Sequence, residues 1–324
     1  MVKAVRIHEY GGPEKMVFED VDVGDPGPGE ARVTHKACGL NYIDTYQRSG
    51  LYKLPAMPAV LGMEGAGTVE AVGSGVTVVK PGDRVAYAGT PVGAYCEARV
   101  MPAEKLVKLP DNVSFETGAA CMLQGMTVQY LLRQTHQVKA GDTVLFHAAA
   151  GGVGLLACQW AKHLGATVIG TVSSDAKAEL ARAAGCDHPI IYTREDFVER
   201  VKEITDGKGV PIAYDSIGKD TLLKSLECLS LKGHLVTFGQ ASGPVENFPP
   251  ALLGTRSASL TRPTLMHYTA TRPDLEACAG ELLGLIGKGV LKININQTYA
   301  LADTVQAHKD LESRKTTGST VLLP

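Results

Sequence analysis

Short apolar or alternating runs, cut by glycine and proline, fill the first third of the chain and then give way to a regular strand–helix alternation. The early runs fall at 4–9, 17–23, 31–38, 65–72, 84–87 and 96–100, between turns such as Gly11-Gly12-Pro13, Asp25-Pro26-Gly27-Pro28-Gly29 and Lys80-Pro81-Gly82-Asp83. Such punctuation predicts a barrel-like β domain. Asn41 to Ser49 reads as a short helix within it. From 126 to about 260, strands are expected at 143–147, 167–172, 189–191, 211–215, 233–238 and 257–261, and helices at 153–164, 175–184, 195–205 and 219–229. That rhythm predicts an α/β, doubly wound parallel sheet. After 262 the pattern changes to a helix at 271–288, a strand at 297–300, a helix at 303–314 and a last strand at 319–323. A free-standing unit of about sixty residues would have a marginal core. The tail is therefore expected to complete the first domain, giving 1–125 with 262–324 as one domain and 126–261 as the other.

The second region opens on a recognisable turn. Asp142 to Phe146 is a short apolar strand, followed by His147-Ala148-Ala149-Ala150-Gly151-Gly152-Val153-Gly154 and a helix ended by Gly165. Strand, glycine-rich turn, helix and strand within about thirty residues is the setting in which such a turn binds a dinucleotide. Glycines permit a tight turn and close approach of a pyrophosphate, and the open N–H groups of the helix start attract it. In a G-x-G-x-x-G frame the first position is Ala149, which weakens the motif taken alone.

Composition narrows the classes. The chain has 324 residues and a formal net charge of −2, with Lys and Arg scattered. A nucleic-acid surface needs clustered cations, so RNA or DNA binding is not expected. No apolar run is long enough to span a membrane. The first residues, Met1 to Ile7, read as a strand rather than a signal peptide. The 7 cysteines are dispersed and unpaired in C-x-x-C form, which fits free thiols in a reducing cytoplasm.

Several stretches together carry a resemblance. Asn41-Tyr42-Ile43-Asp44-Thr45-Tyr46, Gly62-Met63-Glu64-Gly65-Ala66-Gly67, Val72-Gly73-Ser74-Gly75, Gly82-Asp83-Arg84-Val85 and the His147–Gly154 turn are similar to the medium-chain dehydrogenase/reductase superfamily. Within it the chain resembles the zinc-free NADPH:quinone oxidoreductases, the zeta-crystallin-like group. The resemblance covers essentially the whole chain. It implies a GroES-like β-barrel catalytic domain with a Rossmann cofactor domain inserted, and a homodimer in which strand 257–261 is a candidate pairing edge.

Zinc-dependent relatives carry a Cys and a Gly-His-Glu as catalytic ligands. Here Cys38 stands at the Cys place, but Met63 replaces the His and a thioether is a poor zinc ligand. Cys96 alone cannot form a structural four-cysteine lobe, so no metal is expected. Glu64 reads either as a polar group lining the cleft or as a satisfied structural carboxylate.

The second strand of the nucleotide unit ends in Ser173-Ser174, where an NAD binder usually places an acid for the ribose 2′-OH. Serines do not repel a 2′-phosphate, and Lys177 can reach one with a charge-assisted bond. NADPH is therefore expected, although Asp175 would disfavour the phosphate unless it only caps the helix. Gly151, Gly152, Val153 and Gly154 are the phosphate candidates. The resemblance adds Tyr192 and Arg314 at the adenosine end and Arg262 and Pro263 near the nicotinamide; Asn41, Ile43, Thr127 and Tyr130 are further candidates for cofactor contact. Ser216, Phe238, Gly239 and Gln240 follow strand ends, where ligands bind in such sheets. Asn41, Asp44, Tyr46, Tyr52, Glu64 and Gln124 are the catalytic candidates.

Hydride transfer needs position more than a strong acid or base. Tyr46 or Tyr52 could orient a quinone oxygen, but an ordinary phenol, with a pKa near ~10, is a weak acid. Each tyrosine reads equally as packing, Ile43 as core, Lys177 as a solvated helix lysine and His147 as a satisfied core histidine. The expected activity is NADPH-dependent reduction of quinones, or of another flat electron-poor molecule, by hydride or single-electron transfer. Two alternatives stand beside it: reduction of an enone or alkenal double bond, and an NADPH-binding structural or RNA-binding protein without turnover.

Overall fold

The computed structural model describes residues 1–324, which divide into two units. The first holds Met1–Met126, Tyr268–Gly289 and Ile293–Pro324, and the second Thr127–His267 with Val290–Lys292. In chain order the first unit contains β1 (Val2–Ile7), β2 (Met16–Val21), β3 (Glu30–Leu40), α1 (Tyr42–Ser49), β4 (Ala59–Val60), β5 (Glu64–Val72), β6 (Arg84–Ala88), β7 (Ala98–Pro102) and β8 (Val107–Lys108). Then comes α2 (Phe115–Tyr130), which runs across the boundary.

The second unit alternates β9 (Thr143–Phe146), α3 (Gly152–His163), β10 (Thr167–Val172), α4 (Asp175–Ala183), β11 (His188–Ile191), α5 (Phe197–Ile204), β12 (Val210–Asp215), α6 (Leu222–Glu227) and β13 (Leu229–Thr237). It ends with β14 (Ser259–Thr261) and α7 (Leu265–Tyr268), and the tail supplies α8 (Arg272–Gly287), β15 (Ile295–Ala300), α9 (Thr304–Glu312) and β16 (Ser319–Leu323).

The first unit is built on a sheet in the order β15-β16-β3-β5-β6-β8, with β7 also on β3, and a smaller sheet β2-β1-β4. β3 pairs antiparallel with both β5 and β16, so the tail strand lies in the same sheet as the early strands. Alternation along β3 sends Ala31 and Val33 into one core with Val69, Val85 and Leu106, while Cys38 and Leu40 join Val5, Ile7, Leu61, Tyr95 and Leu322 in another.

The second unit is a parallel sheet in the order β11-β10-β9-β12-β13-β14. The chain order reverses between β10-β9 and β12, the switch point at which such sheets bind ligands. Leu145, Ile169, Ala213 and Leu235 from the strands pack against Phe197, Val201 and Leu226 from the helices. Helix starts follow ordinary chemistry: Ser174 caps α4, Asp196 caps α5 through the N–H groups of Val198 and Glu199, and Thr271 caps α8.

Three expectations need correction. Residues 115–130 form a helix that the expectation of a mainly β first region did not include, and the expected division at 125/126 falls inside it. The second unit reaches His267 rather than 261, because Arg262 donates to the carbonyls of Thr237 and Gly239 at 3.1 Å and ties the segment to the end of β13. Residues 290–292 also belong to it, since Gln159 exchanges hydrogen bonds with both main-chain groups of Lys292 at 2.8 and 3.1 Å.

The β3–β5 pairing tolerates no side chain at Gly67, where a Cβ would lie 2.0 Å from the Thr34 carbonyl oxygen. Gly67→Ala is expected to cost on the order of 2–3 kcal/mol, whereas exposed Gly284→Ala should gain up to ~1 kcal/mol. Urea unfolding of both variants beside the parent checks the contrast.

Candidate functional site

In the first unit a polar cluster is sealed among apolar residues at the end of β3 and the start of β5 and α1. Glu64 has no exposure, and its two oxygens are taken by Asn41 Nδ2 at 2.7 Å and the Leu123 N–H at 2.8 Å. Asn41 Oδ1 accepts from Gln124 Nε2 at 3.1 Å, and Gln124 Oε1 accepts from Ser319 Oγ at 2.8 Å. A directed chain of amides thus ends on one carboxyl group. Gly39 lies against the cluster without a side chain, because a Cβ there would sit 2.1 Å from the Ala119 carbonyl oxygen and 2.5 Å from Glu64 Oε2.

Asp44 is a second carboxyl without exposure. Its Oδ2 accepts the Asn41 N–H at 2.9 Å, closing the start of α1, and the Tyr95 hydroxyl at 2.7 Å. Tyr95 in turn meets His308 Nε2 at 3.3 Å, and Arg48 joins His308 to Glu312. Burial pushes Asp44 up to about 7 against the pull of these donors. It pushes Glu64 up to about 8, with the Asp44 carboxyl adding to the rise. Burial also drives His308 down to about 3, helped by the Arg48 charge.

The residues at the metal place of zinc relatives do not form a zinc set. The Cys38 thiol donates to the Ala94 carbonyl at 2.8 Å, and burial raises it well above its ordinary value. Met63 Sδ accepts from Gln47 Nε2 at 3.0 Å. Glu64 is committed to Asn41 and Leu123 as above. No three His, Cys, Asp or Glu side chains are placed to share an ion.

The second unit carries the glycine-rich turn as a cradle. Gly151 is the N-cap of α3 with no side chain capping the helix, so the first N–H groups are left for a ligand. Gly154 has no room for a Cβ, which would lie 2.2 Å from the Ala148 carbonyl oxygen. The left-handed residue is Ala148, with φ 55, whereas Gly151 is extended at φ −78. The tightness of the turn therefore comes from Ala148, not from Gly151, whose expected part in bending the chain is corrected.

At the end of β10, Ser173 and Ser174 precede α4, and Ser174 Oγ accepts the Lys177 N–H at 3.4 Å. Asp175 sits in the first turn of α4 and pairs with Arg194 through bonds of 2.6 and 2.9 Å. The carboxylate that threatened a 2′-phosphate thus faces a guanidinium. No acid occupies the ribose position, so the residues present fit a phosphorylated adenosine. Exposed Tyr192 follows β11 on the same unit. At the other end of the sheet Phe238 lies against Phe146 at 5.6 Å, and Gly239 packs so closely that a Cβ would be 2.6 Å from the Ser216 carbonyl oxygen. Arg262 reaches Gly239 as described, and half-buried Pro263 follows it.

Of the catalytic candidates, Asn41, Asp44, Glu64 and Gln124 form one hydrogen-bonded set, all buried. Tyr46 and Tyr52 are half-buried and meet edge to face at 5.3 Å, with Tyr42 against Tyr46 at 5.6 Å. Ile43 is half-buried on α1, Thr127 and Tyr130 belong to the α2 part of the second unit, and Arg314 is an exposed left-handed residue after α9 with φ 60. Sequence reasoning missed Gln47, Arg48, Tyr95, Ser319, His308 and Arg194. Gln47 and Arg48 were within reach as polar positions of a short helix; the others lie too far along the chain for any spacing signal.

Two family models match the chain: an alcohol dehydrogenase GroES-like domain over residues 27–111 and a zinc-binding dehydrogenase over 152–280. A quinone oxidoreductase of Pseudomonas aeruginosa is 56% identical over the full length of both chains. A 2-haloacrylate reductase of Burkholderia sp is 48% identical over 100% of this chain and 99% of its own. The crystal structure of Escherichia coli quinone oxidoreductase complexed with NADPH is 48% identical, with a TM-score of 0.98 over 99% of this chain and 100% of that one.

The raised Glu64 carboxyl gives a pH signature. A group whose folded pKa lies above its unfolded value stabilises the fold fully at low pH, and that contribution is lost as pH rises through the folded pKa. Glu64→Gln stays neutral throughout. Its stability relative to the parent is expected to climb between about pH 5 and 8, by up to ~1.4 kcal/mol per pH unit, in denaturant titrations across that range. A flat difference would mean that Glu64 is ionised in the fold throughout that range.

Proposed function

Because the chain belongs to the quinone oxidoreductase family of the medium-chain dehydrogenase/reductase superfamily, we infer that it reduces quinones with NADPH and needs no zinc. The observation that carries this reading is the full-length likeness to proteins named quinone oxidoreductase at 48–56% identity. The donor set around Met63 and the acid-free end of β10 support its zinc-free and NADPH parts.

Bound NADPH supplies the hydride or single electron. The chain's own residues supply placement. The open N–H groups of Gly152, Val153 and Gly154, behind Gly151, hold the pyrophosphate. Ser173, Ser174 and Lys177 take the 2′-phosphate, with Tyr192 and Arg314 at the adenosine. Ser216, Phe238, Gly239 and Gln240, with Arg262 and Pro263, hold the nicotinamide half, and Asn41, Ile43, Thr127 and Tyr130 complete the cofactor contacts.

Tyr46 and Tyr52 present ring edges and phenol groups to a flat acceptor. Glu64 and Asp44 do not deliver protons to it, because neither carboxyl has any exposure; they fix Asn41 and the start of α1 instead. Water protonates the reduced oxygen. The protein acts as a homodimer in the cytoplasm, with β14, the edge of the parallel sheet, as the pairing strand.

NADPH oxidation with quinones, enones and 2-haloacrylate, each repeated with NADH, tests the reading. Fast turnover is expected only for NADPH with quinones; preference for an activated double bond would move the activity to alkene reduction. Lys177→Ala should weaken NADPH about tenfold and leave NADH nearly unchanged, as loss of a charge-assisted bond requires. Equal losses would remove Lys177 from the phosphate. Light scattering giving a monomer at micromolar concentration would overturn the dimer.

A further inference from the structure

The carboxyl ends of three parallel strands are tied together by side chains that hydride transfer does not use. His147 follows β9 and is fully buried. Its Nδ1 lies 2.9 Å from Thr171 Oγ1 and its Nε2 2.8 Å from Ser225 Oγ. Ser225 Oγ lies 2.8 Å from Asp215 Oδ2, and Asp215 Oδ1 accepts the N–H groups of Ile217 and Gly218 at 2.9 Å each. His147 Nε2 and Asp215 Oδ2 are 3.8 Å apart, so the serine stands between them.

Proton counting fixes the direction of this chain. A carboxylate only accepts, so the Ser225 O–H goes to Asp215; His147 Nε2–H then donates to Ser225, and its bare Nδ1 accepts from the Thr171 hydroxyl. Burial holds the His147 pKa below its ordinary value despite the nearby carboxylate, which keeps the ring neutral as this pattern demands. The same residue types make hydrolytic triads, but here the serine is the middle member and all four side chains are buried. No substrate carbonyl can reach the hydroxyl.

Each member holds a different part of the strand-end surface. Thr171 stands next to last in β10, two residues before Ser173, and its carbonyl accepts the Ala149 N–H of the glycine-rich turn at 3.0 Å. The His147 N–H binds the Tyr214 carbonyl at 3.1 Å, joining β9 to β12. Asp215 ends β12 and gathers the 216–218 loop. Its carbonyl accepts the Phe238 N–H at 2.9 Å, and the carbonyls of Ser216 and Ile217 accept the N–H groups of Ala241 and Ser242 at 3.1 and 2.8 Å. The loop after β13 therefore hangs on the loop that Asp215 shapes.

We propose that His147, Ser225 and Asp215 are positioning residues for the dinucleotide, setting the spacing between the serine end of β10, the turn before α3 and the loops after β12 and β13. The proposal rests on the NADPH reading above. A dinucleotide spans all three places at once, so an error in their spacing is felt by the whole molecule and not by its adenosine half alone.

Fluorescence titration of the purified protein with NADPH and with 2′,5′-ADP, well below the melting temperature, separates the two. Ser225→Ala cuts the chain between His147 and Asp215. It is expected to weaken NADPH about tenfold, as loss of the Ser225 hydroxyl's buried hydrogen bonds allows, and 2′,5′-ADP by less than about twofold. Asp215→Asn should give the same pattern, which covers the case in which Ser225→Ala does not fold. Thr171→Val should weaken both ligands, and Thr171→Ser should restore them. For Ser225→Ala and Asp215→Asn a purely structural role would lower the melting temperature and leave the ratio of the two affinities unchanged; that result, or equal losses of both ligands in these two variants, overturns the proposal. Failure of the parent protein to bind NADPH would instead sink the cofactor reading.

Discussion

A carboxyl group cannot be placed in an apolar interior unless donors surround it or a proton neutralises it, and Glu64 is met by both means. That demand organises the polar interior of the first unit. It explains why Asn41 turns its amide inward and why Gln124 and Ser319 line up behind it. Where a metal would neutralise the glutamate in a zinc enzyme, Asn41 and the Leu123 N–H hold it here, while Met63 and Cys38 spend their sulfur atoms on neighbours within the fold.

The second unit solves a different problem. Parallel strands deliver their carboxyl ends to one edge, and loops there must be both exposed and fixed. Ala148 accepts a left-handed backbone, Gly154 gives up its side chain, and the His147–Ser225–Asp215 chain braces the loops from beneath. The turn proposed to take the pyrophosphate offers main-chain N–H groups, so its precision depends on the buried layer behind it.

Much of the fold was legible because its signals are local. Alternation marked β3 and β5, and the strand–turn–helix at 142–164 gave the nucleotide unit. Helix α2 escaped because its residues are buried almost all round and include Gly118 and Gly125, which pack against the Leu109 and Leu282 side chains and leave no amphipathic period. Glu64 and Asn41 were visible as motif residues, yet their mutual bond was not, as it joins positions 23 apart. Tyr95 and His308 were out of reach for the same reason: only the folded sheet brings them to Asp44. Arg194 changes the meaning of Asp175 from a barrier to half of an ion pair, and nothing in its own surroundings along the chain announces that.

Turnover of NADPH with a benzoquinone, measured beside the zinc content before and after exhaustive chelation, bears most directly on a cluster closed by hydrogen bonds in place of a metal. An unchanged kcat at substoichiometric zinc is expected. Loss of kcat on chelation, restored by added zinc, would contradict it.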